Sequence, residues 1–225
     1  MKLRNSLVLV CVALLLAACG SKYFILRDSY APVKKVALVQ WALNPHILLG
    51  TANDETGRVT DATNAWETFG KLMGNSYQVM PLAEMTANAA YTGAGGKAAW
   101  DGYFTAKGAM FFSADVETLE AGTIPADTAK KLCEGLGVDA VVGAYEGWGT
   151  QPGFGGFTST SNNSYVMNMF DKNGVKIWGD VVWGQSEESF GTPGGIISAD
   201  MPTWLKSNTQ ALTAALTEAN KHLGK

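Results

Sequence analysis

Ile124 to Glu146, IPADTAKKLCEGLGVDAVVGAYE, reads as a helix that runs directly into a buried strand. Pro125 has the fixed φ suited to a first helical turn, Asp127 favours the positive end of the helix dipole, and Gly137 can take the left-handed conformation that ends a helix. Between them Ala129, Leu132, Cys133 and Leu136 recur at helical spacing, while Lys130, Lys131 and Glu134 fall on the other face. Val138 to Tyr145 then runs almost without polar interruption. It is too short to span a membrane and rich in valine, as expected of a strand covered on both faces. The stretch predicts the central strand of an α/β domain and the helix packed on it.

Outward from this unit, Lys35 to Trp41 is a second interior strand, apolar on both faces through Val36-Ala37-Leu38-Val39. Val59 to Met73 predicts a helix with Ala62, Ala65, Trp66, Phe69, Leu72 and Met73 on one face and Gly74-Asn75 as its stop. Tyr77 to Pro81 reads as an edge-like strand ended by proline. Helical pieces are expected at Leu82 to Tyr91 and Lys97 to Phe104, around the break Gly93-Ala94-Gly95-Gly96. On the other side, Ser164 to Phe170 and Val175 to Trp183 flank the turn Asp171-Lys172-Asn173-Gly174 and form a hairpin. A terminal helix follows, capped by Ser198 or Asp200, with Leu205, Leu212, Ala215, Leu216, Ala219 and Leu223 as its packed stripe. Phe190 to Ile197 is a glycine-rich connection. The segment Gly147 to Asn163, GWGTQPGFGGFTSTSNN, reads as a long loop leaving the central strand. Its aromatic residues Trp148, Phe154 and Phe157 are candidates for a partner-binding or membrane-contacting surface, with a lid folded over the core as the alternative.

The N-terminus assigns a compartment. Lys2 and Arg4 precede the apolar run Leu7 to Leu16, which ends in Leu16-Ala17-Ala18-Cys19 followed by Gly20 and Ser21. This is an export signal, and the placement of the cysteine resembles the lipobox of bacterial lipoproteins. The resemblance implies cleavage before Cys19, diacylglycerol on its sulfur, and a fatty acyl chain such as palmitate on its new amino group, which together would hold the protein firmly to a membrane. No aspartate follows Cys19, so the expected location is the periplasmic face of the outer membrane in a Gram-negative cell. Residues 1–18 are thus the signal peptide, 19–34 a tether from the lipidated cysteine, and 35–225 one domain. Tyr23 to Leu26 could alternatively be an edge strand.

Of the 225 residues, the signal removes 18, two of them basic, leaving 15 basic against 20 acidic side chains. The resulting charge of −5 argues against a nucleic-acid surface. A composition of 47% hydrophobic and 16% charged residues describes one folded domain. With Cys11 lost and Cys19 lipidated, Cys133 is a free thiol on an apolar stripe. No cofactor or metal site is legible. His46 and His222 lack ligand spacing, Asp171 and Asn173 lack the downstream ligands of a calcium loop, and Gly95-Gly96-Lys97 lacks the first glycine and the hydroxyl of a phosphate loop.

The element order, carried by KKVALVQW, AKKLCEGLGVDAVVGAYE and FDKNGVKIWGDVVW, resembles the domain shared by the curli-secretion lipoprotein CsgG, the synthase activator LpoB and the N-terminal domain of TolB. That resemblance implies an α/β domain with a mixed sheet of about five strands flanked by helices, ending in a hairpin and a terminal helix. It also implies docking on an envelope partner or ring assembly, and leaves self-association open. The reading reached is a lipid-anchored envelope protein acting as a binding, adaptor or assembly factor without catalysis of its own. The alternatives are a subunit of an outer-membrane secretion pore, for which only the hairpin strands approach the required alternation, and an envelope hydrolase. The hydrolase would have to use residues such as the adjacent Glu187-Glu188, since no nucleophile elbow is present.

Overall fold

The computed structural model describes residues 22–44, 55–93, 124–191 and 195–224. Cys19, His46, Gly95-Gly96-Lys97 and the helix expected at Lys97 to Phe104 lie outside them. The order is β1 (Lys22–Ile25), α1 (Arg27–Tyr30), β2 (Lys35–Asn44), α2 (Glu55–Met73), β3 (Gln78–Val79), α3 (Leu82–Thr86), α4 (Ala89–Gly93), α5 (Ala126–Leu136), β4 (Ala140–Gly147), β5 (Thr150–Pro152), a 3-10 turn (Phe154–Gly156), β6 (Ser159–Asp171), β7 (Lys176–Phe190) and α6 (Met201–Leu223). The strands form one mixed sheet in the order β1-β7-β6-β4-β2-β3, with β5 paired to β6. β2 is parallel to β3 and β4, whereas β4, β6, β7 and β1 pair antiparallel in turn. This is the expected α/β domain with seven strands rather than about five.

The α5–β4 unit forms as its sequence dictates. Ala129, Leu132, Cys133 and Leu136 are buried, and Gly137 ends the helix at φ 62°, donating to the Cys133 and Glu134 carbonyls. Pro125 is the residue before the first turn, a shift of one position from the expectation. Asp139 then accepts from the Lys34 and Lys35 backbone N–H groups at 2.9 and 2.8 Å, locking the start of β2 to the start of β4. Cys133 donates to the Phe170 carbonyl at 3.8 Å, and burial pushes its thiol up to about 12, so it stays protonated and inert.

Two boundaries differ from the sequence reading, for one physical reason. Residues 22–25, assigned to a tether, form β1 on the outer side of β7, with Lys22 opposite Val181 and Ile25 opposite Trp178. Residues 147–163, assigned to a loop, are mostly strand, because β5 and the first half of β6 pair with each other and β6 continues against β7 as far as Ser159 and Phe190. In both places backbone pairing prevails over weak side-chain patterning. The inward positions Ser159, Ser161 and Asn163 are fully buried although polar.

Helix α6 lies on β7 and β6 and packs along α2. Its close approach is permitted by Gly184, where an added Cβ would sit 1.9 Å from the Ala211 carbonyl oxygen and 3.1 Å from the Ala215 Cβ. Around that contact Ser207 Oγ lies 2.9 Å from Ser161 Oγ and 2.6 Å from Ser186 Oγ. Small side chains thus let helix and ribbon touch at backbone distance. Substitution Gly184→Ala should therefore destabilise by about 1–3 kcal/mol, although alanine would otherwise favour a strand over glycine. For a domain of this size the melting temperature should drop by about 2–4 °C per kcal/mol. An unchanged melting temperature would show that α6 does not approach β7 so closely.

Candidate functional site

The polar side chains that sequence reading passed over meet at one place in the interior. Asp61 of α2 and Glu146 at the end of β4 are buried. One amide bridges them, as Asn208 Nδ2 of α6 donates to Asp61 Oδ1 at 2.5 Å and to Glu146 Oε1 at 2.8 Å. Glu146 also accepts from Trp41 Nε1 at 2.8 Å, Asn163 Nδ2 at 3.0 Å and the Tyr165 hydroxyl at 3.3 Å. Asp61 accepts from Trp148 Nε1 at 3.1 Å. Asn163 Oδ1 in turn holds the Gly149 backbone N–H at 2.9 Å, and its amide contacts the Asn208 carbonyl oxygen. One cluster thereby joins β2, α2, β4, β6, α6 and the segment after β4.

Burial, and then the negative charge of Glu146, hold the Asp61 carboxyl well above the usual carboxylate range. Burial also raises Glu146, but hydrogen bonds from Asn208, Trp41, Tyr165 and Asn163 oppose it. Two like charges this close cannot both persist without water, so the pair keeps a proton at neutral pH. Asp61, with fewer donors aimed at it, is its holder. The cluster resembles an acid–base pair chemically, yet its residues are shielded from solvent, so a substrate cannot reach it in this conformation. What it does is fix helices to sheet.

Trp148, expected to be an interface residue, belongs to this interior: it is 0% exposed, bonded to Asp61, and packed on Trp204 with ring centroids 5.3 Å apart. It is a core residue because its indole N–H has a buried acceptor. Phe157 is the opposite case, 82% exposed just beyond the 3-10 turn between β5 and β6. Phe154 opens that turn. The three candidates therefore do not form one surface. Glu187 is exposed, while Glu188 is drawn to α6 by Lys206 Nζ at 2.6 Å and Gln210 Nε2 at 3.1 Å. His222 has an acidic neighbourhood that sequence spacing concealed, with Nδ1 2.7 Å from Asp180 Oδ2, Nε2 3.4 Å from Glu218 Oε1, and Tyr23 stacked on the ring at 4.6 Å. That contact clamps β1 and the end of α6 to β7. Among the described residues, no group of three or more His, Cys, Asp or Glu side chains could hold a metal ion.

The sequence matches no protein-family model and no curated protein. Solved structures do show similarity. Lipoprotein GNA1162 from Neisseria meningitidis aligns at 14% identity and TM-score 0.38, over 85% of this chain and 99% of that one. A PelC dodecamer from Paraburkholderia phytofirmans aligns at 11% identity and TM-score 0.38, over 88% and 94%. A second crystal form of the PelC dodecamer aligns at 9% identity and TM-score 0.33, over 88% and 96%. No site residue is transferred from these similarities.

The buried pair makes a pH prediction. A carboxyl whose folded pKa is raised adds stability that is fully present below its unfolded value, near pH 4, and is lost as pH rises through the folded value. Melting temperature should therefore fall as pH rises above about 4, and Asp61→Asn, which mimics the protonated acid, should flatten that fall. A pH profile parallel to that of the wild type would show that Asp61 is ionised throughout.

Proposed function

We propose that this protein is a lipid-anchored component of the cell envelope that binds or assembles a partner protein at the periplasmic face of the outer membrane, without catalysis of its own. The observation that carries the reading is Leu16-Ala17-Ala18-Cys19 behind a basic start and an apolar run. The described domain is compatible with it, since no helix among the described residues is long and apolar enough to cross a membrane. Attachment through Cys19 then supplies the membrane anchor. Phe157 is the candidate partner contact, because a phenylalanine left 82% exposed on a glycine-rich turn contributes nothing to the core and is the kind of group that anchors an interface.

Two outcomes test this. Cys19→Ala should abolish incorporation of labelled palmitate and move the protein from the membrane fraction to the soluble periplasm. A variant that is processed and still sediments with membranes would sink the anchor reading. Phe157→Ser should leave the melting temperature within about 1–2 °C of wild type while weakening crosslinks to envelope proteins in intact cells. Unchanged crosslinks would remove Phe157 from the interface.

A further inference from the structure

The lipid anchor and the first strand are only three residues apart. Three residues of extended chain reach about 10 Å, so a lipidated Cys19 must lie within that distance of Lys22, where β1 begins. The membrane surface is therefore close to the β1–β7 edge of the sheet, whatever path residues 19–21 take.

That edge carries side chains suited to it. Lys22 lies opposite Val181 and Phe24 opposite Gly179, so Phe24, Val181 and Trp183 project from the same face of the antiparallel pair. Trp183 is two residues beyond Val181, on the side from which the chain arrives from Cys19. Phe24 is 46% exposed and Trp183 is 65% exposed. Leu26, just after the strand, is 38% exposed. Phe157, also strongly exposed, precedes Ser159, which pairs with Phe190 nine residues along β7 from Val181 and about 30 Å away, so it is a separate patch.

We infer that Trp183 and Phe24 form a bilayer-contacting patch that lays the β1–β7 edge against the membrane to which Cys19 is attached. Tryptophan suits this position because its ring partitions to the boundary between headgroups and acyl chains while its N–H remains hydrogen-bonded there. The patch would convert a single point of attachment into a fixed orientation, with the lipid and the aromatic residues acting as two neighbouring points of contact. This inference rests on the anchor reading above.

The test uses full-length lipidated protein in vesicles of phosphatidylethanolamine and phosphatidylglycerol, with a fraction of the lipid brominated on the upper acyl chain. Trp41, Trp66, Trp148, Trp178 and Trp204 are buried, which leaves Trp183 as the exposed indole among the described residues. In a Trp100→Phe background, which removes the one indole outside the described residues, emission should be quenched by the brominated lipid and shifted to the blue, and adding Trp183→Phe should lose most of the quenching while the protein floats with the vesicles as before. Equal quenching of the two floating proteins would overturn the patch alone. Failure of wild-type protein to float would overturn the anchor and the patch together. An emission that is already blue in detergent and depends on protein concentration would give the face to a second copy of the chain, and would likewise overturn the inference.

Discussion

Two carboxyl groups placed side by side in a dry interior are expensive, and the fold is arranged around making them tolerable. Isolated carboxylates would each cost several kcal/mol to bury, and their mutual repulsion would add to it. Asp61 and Glu146 are instead surrounded by donors from Trp41, Trp148, Asn163, Tyr165 and Asn208. These come from three strands or segments and one helix, so the hydrogen bonds form together only when α2, α6 and the sheet have reached their native positions. An apolar core of equal size could bind the same helices in several registers. This one is satisfied in a single register, which is specificity obtained at the cost of burying charge.

The same economy explains the ribbon of β6 and β7. Around Gly184 its inner positions are Ser159, Ser161, Asn163 and Ser186, with Val182 beside them, and the helix answers with Ser207, Asn208 and Ala211. Small residues bring the backbones together, and close approach removes water from the hydroxyls and amides, so each of these groups must find a protein partner. The ribbon is therefore held to α6 by short polar contacts where the rest of the core is held by Trp41, Trp178, Phe69 and their neighbours.

How much of this was legible follows from the type of interaction. The α5–β4 unit, the long helices and the hairpin are written in apolar periodicity, which local sequence reports directly. The inner half of β6 is written in Ser159, Ser161 and Asn163, whose alternation resembles a glycine-serine loop unless their partners on α6 are known. β1 is four residues long, close to the edge strand that Tyr23 to Leu26 offers as the alternative to a tether, and its pairing with β7 decides between the two. For the polar cluster a signal did exist: Asp61 lies beside Ala62 and four residues before Ala65 on the apolar stripe of α2, and Asn208 lies four residues from both Trp204 and Leu212 on α6. A polar side chain on a buried stripe predicts a buried partner. Its identity required the fold, because 147 residues separate Asp61 from Asn208. Trp148 was misplaced for the same reason, since glycine neighbours suggested exposure and the acceptor that draws it inward is on another element.

The edges of the sheet constrain what kind of partner this protein can take. A long open edge invites another strand to pair with it, and natural sheets blunt such edges by keeping them short or covering them. Here the path of the sheet ends in β3, which is two residues long and is soon followed by Pro81, and in β1, which is four residues long and turns at once into α1. Neither is a long edge of its own, but β1 covers only Trp178 to Val181 of β7 and leaves the outer side of Val182 to Phe190 without a strand partner among the described residues. Exposed large apolar side chains mark the β1–β7 edge and the turn at Phe157, with Val59, Val175 and Ile197 elsewhere. The first is tied by chain length to the neighbourhood of Cys19. The second lies at the far end of the β6–β7 ribbon, which on the proposed reading leaves it free to face another protein while the first faces lipid.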